Sequence, residues 1–450
     1  MKPFRIIYIF LLFTVIFSSC QKDDSIIQQY TAENYNSAYL YKYYNLICRT
    51  SKTTDGFFPP QVARAYGYIG LANYEAVYRG IEGASSLTSQ LNQMSRVRLP
   101  EISPNQKYNW AIASNAAVAE ITKRMFEKKI SSLNINRIDS LEAATLQELS
   151  YSEDPEITRN SIDLGKKTAE AIFEFSKTDG GHESYLEPFQ LPYNIPPDPY
   201  CWKPTGLAKS PLSPRWGSNR PFMTMNISKT QAPPHAAFST DPKSEFYAEA
   251  MATYNQSKIN TNESKEIAKY WADDPFATCT PAGHTFNILI QLLKEENVTL
   301  AKATIALAKM GIAENDAFIA CWKGKYDYVL IRPVTYIQNY IDPSWNTLIG
   351  TPPFPAYTSG HSCEIGAGER IFTDLFTNGS GKYQFTDYSQ LQFGYFARSY
   401  SSFTQMAEEC AASRLYGGIH FPMDNSQGLR VGRAIGDNVN KNLKWPVFVR

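Results

Sequence analysis

A helical pattern from Val298 to Tyr328 limits the folds open to this chain more than any other stretch. Apolar residues recur in it every three or four positions and form one continuous stripe, made of Leu300, Ile305, Ala308, Ile312, Ala317 and Cys321. Such spacing is typical of an amphipathic helix that packs against others. Pro333 ends or kinks this helix, because proline has no amide hydrogen to donate. Similar spacing recurs over residues 32–149, 157–177 and from 244 onward, which predicts an all-α fold of helical bundles.

The middle of the chain interrupts this pattern. Residues 178–243 are rich in proline, glycine and aromatic residues and show no sustained period. They predict an ordered loop region or a few short strands. After a leader at 1–20, the chain therefore divides into an N-terminal helical region at 21–177, a connecting region at 178–243 and a C-terminal helical domain at 244–450. The motifs described below fall in the last of these.

The leader predicts export. Two basic residues precede an apolar run at 6–17, which is too short to remain as a membrane-spanning helix and is typical of a signal peptide. The sequence FSSC at 17–20 resembles a bacterial lipobox, and QKDD at 21–24 resembles the acidic export tag of surface lipoproteins in Bacteroidetes-type bacteria. Cys20 is then predicted to carry the lipid of a lipoprotein anchored in the outer membrane of a Gram-negative bacterium, at the cell surface. The alternative is an ordinary cleaved signal in which Cys20 has no role.

Charge and cysteine content restrict the partners of the chain. A formal net charge of +1 argues against bulk attraction to nucleic acid or to anionic lipid, so the N-terminal lipid is the expected membrane contact. Besides Cys20 there are six cysteines, an even number that permits disulfides in an exported protein, in any of 15 pairings. Their spacing selects none of these pairings and matches no zinc-binding pattern, and five histidines are few for a multi-histidine metal site.

Two stretches of the C-terminal domain indicate an anion. Lys325 and Arg332 are seven residues apart, so on one helix they would share a face two turns apart and repel each other unless an anion lay between them. Ser359, Gly360 and His361 lead into an apparent helix at about 362–376. Free backbone N–H groups and the helix dipole favour an anion at such an N-terminus.

A third stretch places Arg414 and His420 six residues apart, with Gly417 and Gly418 between them. The glycines let the chain leave the helix and turn His420 back towards Arg414. Arg414 can then donate its planar fork to an oxyanion while His420 attacks or ligates the central atom. Taken alone, this stretch also fits a helix-capping arginine followed by a structural loop histidine. Three such patterns in one order are rarely produced by chance.

The combination K-x6-RP, SGH and SR-x5-H-x3-D resembles the superfamily that joins vanadium-dependent haloperoxidases to type-2 phosphatidic acid phosphatases. The matching residues are Lys325, Arg332, Pro333, Ser359, Gly360, His361, Ser413, Arg414, His420 and Asp424. Thr358 is a departure, since the superfamily usually has proline there; it loosens the backbone restraint but removes no side chain that touches the anion. YWADDP at 270–275 and TPAGH at 280–284 resemble a marker of the haloperoxidase branch.

The resemblance implies a site for vanadate that phosphate can also occupy. Lys325, Arg332 and Arg414 would supply three positive charges, and the hydroxyl of Ser359 and the N–H of Gly360 would add donors to a tetrahedral oxyanion. Vanadate would act there as a Lewis acid that polarises peroxide without changing oxidation state.

The remaining roles are assigned in the same way. His420 would coordinate vanadium, or attack phosphorus in a phosphatase, and His361 would be the acid–base group. Trp322 and Phe354 match aromatic positions that border the vanadate pocket in resembling haloperoxidases, and otherwise they are ordinary core aromatics. Asp424 is expected to N-cap the closing helix.

The marker stretch leaves its acidic residues open. Asp273 or Asp274 would hold a cationic side chain of the active site in position, or would simply cap the next helix. His284 is expected to be structural, because the anion site is complete without it.

Three functions follow, in order of support. The first is a vanadate-dependent haloperoxidase that oxidises iodide or bromide with hydrogen peroxide, supported by the layout of the whole chain and by the stretch at 270–284. The second is a secreted acid phosphatase that acts on phosphomonoesters through a phosphohistidine at His420, although the long N-terminal half counts against it. The third is a surface lipoprotein with a degenerate site and a binding role, for which Thr358 is the support.

Overall fold

The computed structural model describes residues 31–103, 105–189, 193–206, 210–377 and 379–446. Within these ranges the regular structure is mainly helical, as predicted, and its one sheet is a two-stranded antiparallel pair, β1 (Phe385–Asp387) and β2 (Arg398–Tyr400). The α-helices in chain order are α1 Ala38–Thr53, α2 Pro59–Val77, α3 Trp110–Met125, α4 Ser132–Leu149, α5 Pro155–Ser176, α6 Met225–Ser228, α7 Glu245–Ile259, α8 Asn262–Tyr270, α9 Thr280–Glu295, α10 Leu300–Tyr328, α11 Pro333–Tyr340, α12 Gly360–Phe376, α13 Phe403–Tyr416 and α14 Pro422–Asn442.

The long helix α10 forms the centre of the molecule and packs against α2. The two backbones come very close where Gly67 faces Gly311: a Cβ added at Gly311 would lie 2.9 Å from the Cα of Gly67. Only glycine permits such an approach, and it brings most of both helices out of solvent. The centre of α10 is therefore buried, and its packing fixes the position of the C-terminal turn that contains Lys325.

Helices α12 and α14 form a second close pair. A Cβ on Gly432 would lie 2.0 Å from the carbonyl oxygen of Cys363, so this glycine is required for the contact. The N–H of Ser359 also donates to the carbonyl of Asp424, at 3.0 Å. These contacts bring the N-terminus of α12 beside the start of α14, and with it the SGH stretch beside His420.

The described residues of the connecting region form an ordered loop, as the sequence predicts. Its described part contains a short 3-10 turn at Trp216–Ser218 and the single turn α6. The N–H of Trp202 donates to the carbonyl of Val329 at 2.7 Å, and the N–H of Ile331 donates to the carbonyl of Tyr200 at 2.8 Å. The region thus clamps the short segment that links α10 to α11.

One disulfide joins Cys48 of α1 to Cys279, directly before α9, with the Cα atoms 5.2 Å apart. The cysteines at 201, 321, 363 and 410 are buried thiols. The pairing was beyond sequence reasoning, because the two residues are 231 positions apart. The disulfide ties the stretch at 270–284 to the N-terminal half of the chain.

The predicted signal peptide, the lipobox and Cys20 lie outside the described residues. Among the helices that the structure does describe, none combines the length and the apolar character that crossing a bilayer requires.

Candidate active site

The link between Lys325 and Arg332 differs from the sequence expectation. Helix α10 ends at Tyr328, because Val329 adopts a left-handed conformation with φ of 49°. Arg332 therefore lies beyond the helix, as the N-cap residue of α11, and Pro333 begins that helix rather than ending the previous one. The expectation of one shared helix face is wrong, although both side chains still reach the same buried site.

Lys325 is completely buried and holds the loop that leads into α12. Its Nζ donates to the carbonyls of Pro355 and Ala356, both at 2.9 Å, and of Thr358 at 2.5 Å. These three bonds match the three hydrogens of an ammonium group. Burial lowers the pKa of Lys325 to about 8. Lys325 thus fixes the loop and adds positive charge to the site.

Arg332 is fixed by the loops on either side of the site. Its Nε donates to the carbonyl of Phe354 and its Nη1 to the carbonyl of Ile419, each at 2.8 Å, and Nη1 lies 3.2 Å from Nε2 of His420. Its Nη2 is buried and has no hydrogen-bond partner among the described residues. Burial lowers the pKa of Arg332 to about 9, so an anion beside it would be strongly favoured.

Arg414 and His361 reach the same site from α13 and α12. Arg414 donates through Nη1 to the carbonyl of Trp271 at 2.6 Å, while its Nε is buried without a partner in the described chain. His361 is hydrogen-bonded to the carbonyl of Ala272, and its Nε2 is likewise buried and unpartnered. Burial, reinforced by the charge of Arg414, holds the pKa of His361 well below its ordinary value. The ring is therefore neutral, and Nε2 can accept a proton.

His420 is oriented by Asp424. Its Nδ1 lies 2.9 Å from Oδ2 of Asp424, and the N–H of Phe421 donates to the same oxygen at 3.0 Å. Burial and then the nearby charges of Arg332 and other cations hold the pKa of His420 well below its ordinary value. With the Nδ1 proton donated to the carboxylate, the lone pair lies on Nε2.

The expected N-cap role of Asp424 is wrong. Pro422 occupies the first position of α14, which makes Phe421 the N-cap residue and puts Asp424 in the third position of the helix. From there its carboxylate reaches back both to the N-cap N–H and to His420. The helix start thus supplies the carboxylate that sets the tautomer of the imidazole.

The SGH stretch begins α12, as predicted. Ser359 is its N-cap residue, and its Oγ accepts from the N–H of Ser362 at 3.3 Å and from the hydroxyl of Ser362 at 3.0 Å. The hydrogen of the Ser359 hydroxyl is therefore left to donate to an anion. Gly360 lies at the first helical position and lines the cavity. Ser413, by contrast, bonds within its own helix, to the carbonyl of Cys410 at 2.6 Å.

A small cavity of about 30 Å³ lies where these side chains meet. Its lining includes His361, Arg414, His420, Trp322 and Phe354, and the two aromatic rings pack with centroids 5.0 Å apart. A larger cavity of about 220 Å³ shares His361, Arg414 and Phe354 and is walled by several prolines. Trp322 and Phe354 therefore border the site, and the larger cavity lies on the side of His361 and Arg414.

The two acidic residues of the marker stretch have different surroundings. Asp273 is buried and accepts from Thr278 at 3.1 Å, from Gln390 at 2.7 Å and from Nδ1 of His284 at 2.8 Å. Neither carboxylate caps α9, whose N-cap residue is Cys279, and the side chain of Asp273 binds His284. The negative charges of Asp274 and Asp273 nevertheless oppose the lowering of the pKa of Arg414 by burial. Asp274 lines the larger cavity; its partial burial raises its pKa, and the charge of Arg414 opposes this rise.

His284 lies between two carboxylates, in agreement with a structural role. Its Nε2 is 3.0 Å from Oδ2 of Asp387, opposite the bond to Asp273. Burial alone would lower the pKa of His284, but the carboxylates of Asp273 and Asp387 outweigh it and raise the value to about 10. His284 is thus an imidazolium that donates from both nitrogens.

The stabilisation from His284 is expected to fade in alkaline solution. Because its folded-state pKa of about 10 exceeds the ordinary value of 6.5, the contribution is complete below pH 6.5 and is lost as the pH rises through the folded value. The free energy of unfolding of the wild type should exceed that of His284→Gln by a few kcal/mol near pH 6.5, and this difference should shrink toward pH 10. Urea unfolding across that range measures it, and a difference independent of pH would contradict the assignment.

Several of these residues escaped sequence reasoning. Asp387 and Gln390 lie more than 100 positions from His284 and belong to no motif. The carbonyls that hold Arg332 and Arg414 carry no side-chain signal at all. For Asp424 a signal was present, because proline at the first helical position predicts the N-cap one residue earlier.

The unpartnered atoms provide a test for the oxyanion. Nη2 of Arg332, Nε of Arg414 and Nε2 of His361 are all buried without a partner in the part of the chain that the structure describes. Leaving such groups unsatisfied costs about 1–3 kcal/mol each, and more for charged ones. Two guanidinium donors and one imidazole acceptor suit a protonated tetrahedral oxyanion, with the Nε2 lone pair of His420 beside it. The donor set therefore fits vanadate, and it fits phosphate equally well.

Comparison with known proteins supports the same family over most of the chain. Residues 305–446 match the family model described as VCPO second helical-bundle domain. The vanadium chloroperoxidase of Curvularia inaequalis is 24% identical over 401 residues, which cover 74% of this chain and 65% of that protein. The chain thus spans just under two thirds of the length of this curated relative.

Two bacterial crystal structures are also similar. The holo-type vanadium-dependent chloroperoxidase superposes with a TM-score of 0.67 at 16% identity, covering 87% of this chain and 93% of its own, and it shares the fold. The structure described as the first bacterial vanadium-dependent iodoperoxidase superposes with a TM-score of 0.81 at 31% identity, covering 91% of this chain and 97% of its own. With that identity over nearly the full length of both chains, this protein belongs to the vanadium-dependent haloperoxidase family.

Proposed function

We propose that this protein is a vanadate-dependent haloperoxidase that oxidises iodide or bromide with hydrogen peroxide. The observation that carries the proposal is the group of buried nitrogens on Arg332, Arg414 and His361 that have no partner among the described residues. Arg414 and His361 line the small cavity together with His420, and Nη1 of Arg332 lies 3.2 Å from Nε2 of His420. A protein interior does not keep two such cations and an imidazole without a compensating group.

The cations would hold the oxyanion. Within the described residues, Nη2 of Arg332 and Nε of Arg414 have no partner. Bonds to carbonyls fix Nε and Nη1 of Arg332 and Nη1 of Arg414. Lys325 adds charge and positions the loop that presents Ser359 and Gly360. Because all three cations are shielded from solvent, their attraction for an anion is much stronger than at a protein surface.

The two histidines would divide the chemistry. Asp424 orients His420 so that its Nε2 lone pair is available as a ligand. Bound vanadate would supply a Lewis acid that activates hydrogen peroxide towards the halide. His361, neutral because burial lowers its pKa, would take a proton from hydrogen peroxide at Nε2 and later return it. In the net reaction the halide is oxidised by two electrons to hypohalous acid, peroxide is reduced to water, and one proton is consumed.

One pair of assays tests this function. Purified protein reconstituted with orthovanadate is given hydrogen peroxide with iodide or bromide, and protein without vanadate is given a chromogenic phosphomonoester. Halide oxidation that requires both peroxide and vanadate is the expected result. Phosphate release alone would instead support a phosphatase, and the absence of both activities would support a binding role.

The phosphatase remains the second candidate because of the geometry at His420. An imidazole whose Nδ1 is bonded to a carboxylate and whose Nε2 faces a cationic anion site is also arranged to attack phosphorus. In that chemistry His361 would protonate the leaving alcohol. Phosphate competing with vanadate in the haloperoxidase assay is expected under both functions, so only product analysis separates them.

We propose further that the protein is exported and anchored through a lipid on Cys20. The N-terminal sequence supports this, and so does the disulfide between Cys48 and Cys279, since disulfides persist mainly outside the cytoplasm. Expressed in a Gram-negative host, the wild type is expected in the membrane fraction and Cys20→Ser in the soluble fraction. Equal distribution of the two proteins would contradict the anchor.

A further inference from the structure

Two neighbouring backbone carbonyls hold two of the side chains in the site. The carbonyl of Trp271 accepts from Nη1 of Arg414 at 2.6 Å. The next carbonyl, that of Ala272, is hydrogen-bonded to His361. A two-residue stretch of main chain therefore sets the position both of a guanidinium that faces the anion and of the acid–base imidazole.

The loop that contains these carbonyls does not have a relaxed backbone. From the end of α8 to the first residue of α9, three residues other than glycine have positive φ: Asp273 at 48°, Phe276 at 68° and Thr280 at 66°. Each such residue costs about 1–3 kcal/mol and persists only where surrounding contacts impose it. The loop therefore needs external restraints to present the carbonyls of Trp271 and Ala272.

Asp273 and His284 provide these restraints. The buried carboxylate of Asp273 binds Thr278 within the loop, Gln390 outside it and Nδ1 of His284. The His284 ring also stacks on Trp271, with centroids 4.6 Å apart and planes 26° apart. The pair of Asp273 and His284 therefore holds the loop at the two residues on either side of Ala272. His284 stacks on Trp271, and Asp273 is itself part of the loop.

The far side of His284 is fixed as well. Its Nε2 lies 3.0 Å from Oδ2 of Asp387, the last residue of β1, and the same oxygen accepts from the hydroxyl of Tyr270 at 2.6 Å. Tyr270 is the last residue of α8. The imidazolium is therefore held between the loop and β1, and it cannot shift without moving Trp271.

We propose that Asp273 and His284 are positioning residues of the active site, which lock the carbonyls of Trp271 and Ala272 where these can hold Arg414 and His361. Neither residue lines the small cavity, although Asp273 lines the larger one beside it. For its effect on turnover the inference rests on the proposed function, whereas its effects on oxyanion binding and on the loop do not require peroxidase activity.

The test compares full-length variants in orthovanadate binding and in turnover. Asp273→Asn is expected to weaken orthovanadate binding by about 10–100-fold and to lower kcat for halide oxidation over the same range, as loss of a supporting contact does in other sites. His284→Gln keeps one donor towards Asp273 and should show a smaller loss of both. Isothermal titration calorimetry gives the affinity, and far-UV circular dichroism confirms that each variant is folded.

Asp179→Asn is the matched control. Asp179 is also a buried carboxylate, paired with Nε of Arg64 at 2.7 Å and with the hydroxyl of Tyr68 at 2.9 Å, but it lines neither of the two cavities at the site. Its replacement is expected to lower thermal stability and leave orthovanadate affinity unchanged. An equal loss of affinity in Asp179→Asn and Asp273→Asn would overturn the proposal, because the effect would then be general destabilisation.

Milder and independent measurements keep the test decisive. If Asp273→Asn does not fold, Thr278→Ala removes only the 3.1 Å bond and should still weaken orthovanadate binding in the same direction. A crystal structure of a folded variant is expected to show the carbonyls displaced from Arg414 and His361. If both hydrogen bonds are unchanged in Asp273→Asn, or if its affinity equals that of the wild type, the proposal fails whether or not the protein is a haloperoxidase.

Discussion

Replacing His420 by alanine is expected to lower orthovanadate affinity by at least about 100-fold and to abolish halide oxidation. Removing a residue that only supports a metal ligand typically lowers affinity by about 10–100-fold. Because His420 is itself the expected ligand, the loss of orthovanadate affinity should reach or exceed the upper end of that range. Its Nε2 is the lone pair that Asp424 directs towards Arg332 and the cavity. Calorimetric titration with orthovanadate and a peroxide-dependent halogenation assay measure the two effects.

His182→Ala is the control for this change. His182 lies in the connecting region, packed edge-on against Phe173 at 5.8 Å, and takes no part in the site. This variant should bind orthovanadate and oxidise halide like the wild type. A His420→Ala protein that retains wild-type affinity would show that the oxyanion is held elsewhere.

Replacing His361 by alanine is expected to separate binding from turnover. The arginines and His420 remain, so orthovanadate affinity should change only slightly, whereas kcat should fall by about 10²–10⁴-fold, the usual contribution of an acid–base group. The neutral Nε2 of His361 has no partner within the described chain, as expected for a group that exchanges a proton with a substrate.

Chemical rescue checks this assignment. Imidazole added to His361→Ala can enter the space left by the side chain and restore part of the activity, whereas it should not rescue His420→Ala to the same extent, because vanadate binding is lost there. Activity of His361→Ala within tenfold of the wild type would contradict the acid–base role.

The helices and the charged residues of the site were largely predictable from sequence. Long apolar periods define α2, α3, α5 and α10, and the N-terminal position of Ser359 and Gly360 follows from the helix that comes after them. These features are local, so a single stretch of sequence contains the information. The all-α fold and the family were therefore both predicted correctly.

The errors lie where a local signal was absent or was overlooked. Val329 is β-branched and gives no hint of a left-handed conformation, so Lys325 and Arg332 were assigned to one helix that in fact ends between them. Tertiary contacts with the connecting region impose that end. At Asp424 the proline at 422 already indicated the correct N-cap, and the acidic residue was favoured over it.

The remainder of the site depends on contacts between distant parts of the chain. The partners of His284 come from two segments more than 100 residues apart, and carbonyl oxygens that hold the arginines are available from every residue type. No residue pattern specifies which carbonyl will face a given guanidinium. Only packing of the whole chain decides this, which is why the sequence left the roles of Asp273 and Asp274 open and did not indicate His284 as the partner of Asp273.

The most direct test of the central claim is a crystal structure of the protein soaked with orthovanadate. The account predicts vanadate in the cavity bordered by Trp322 and Phe354, contacted by the free guanidinium nitrogens of Arg332 and Arg414 and bonded to Nε2 of His420. Vanadate bound at a different place, or held in this cavity without a bond to His420, would contradict it.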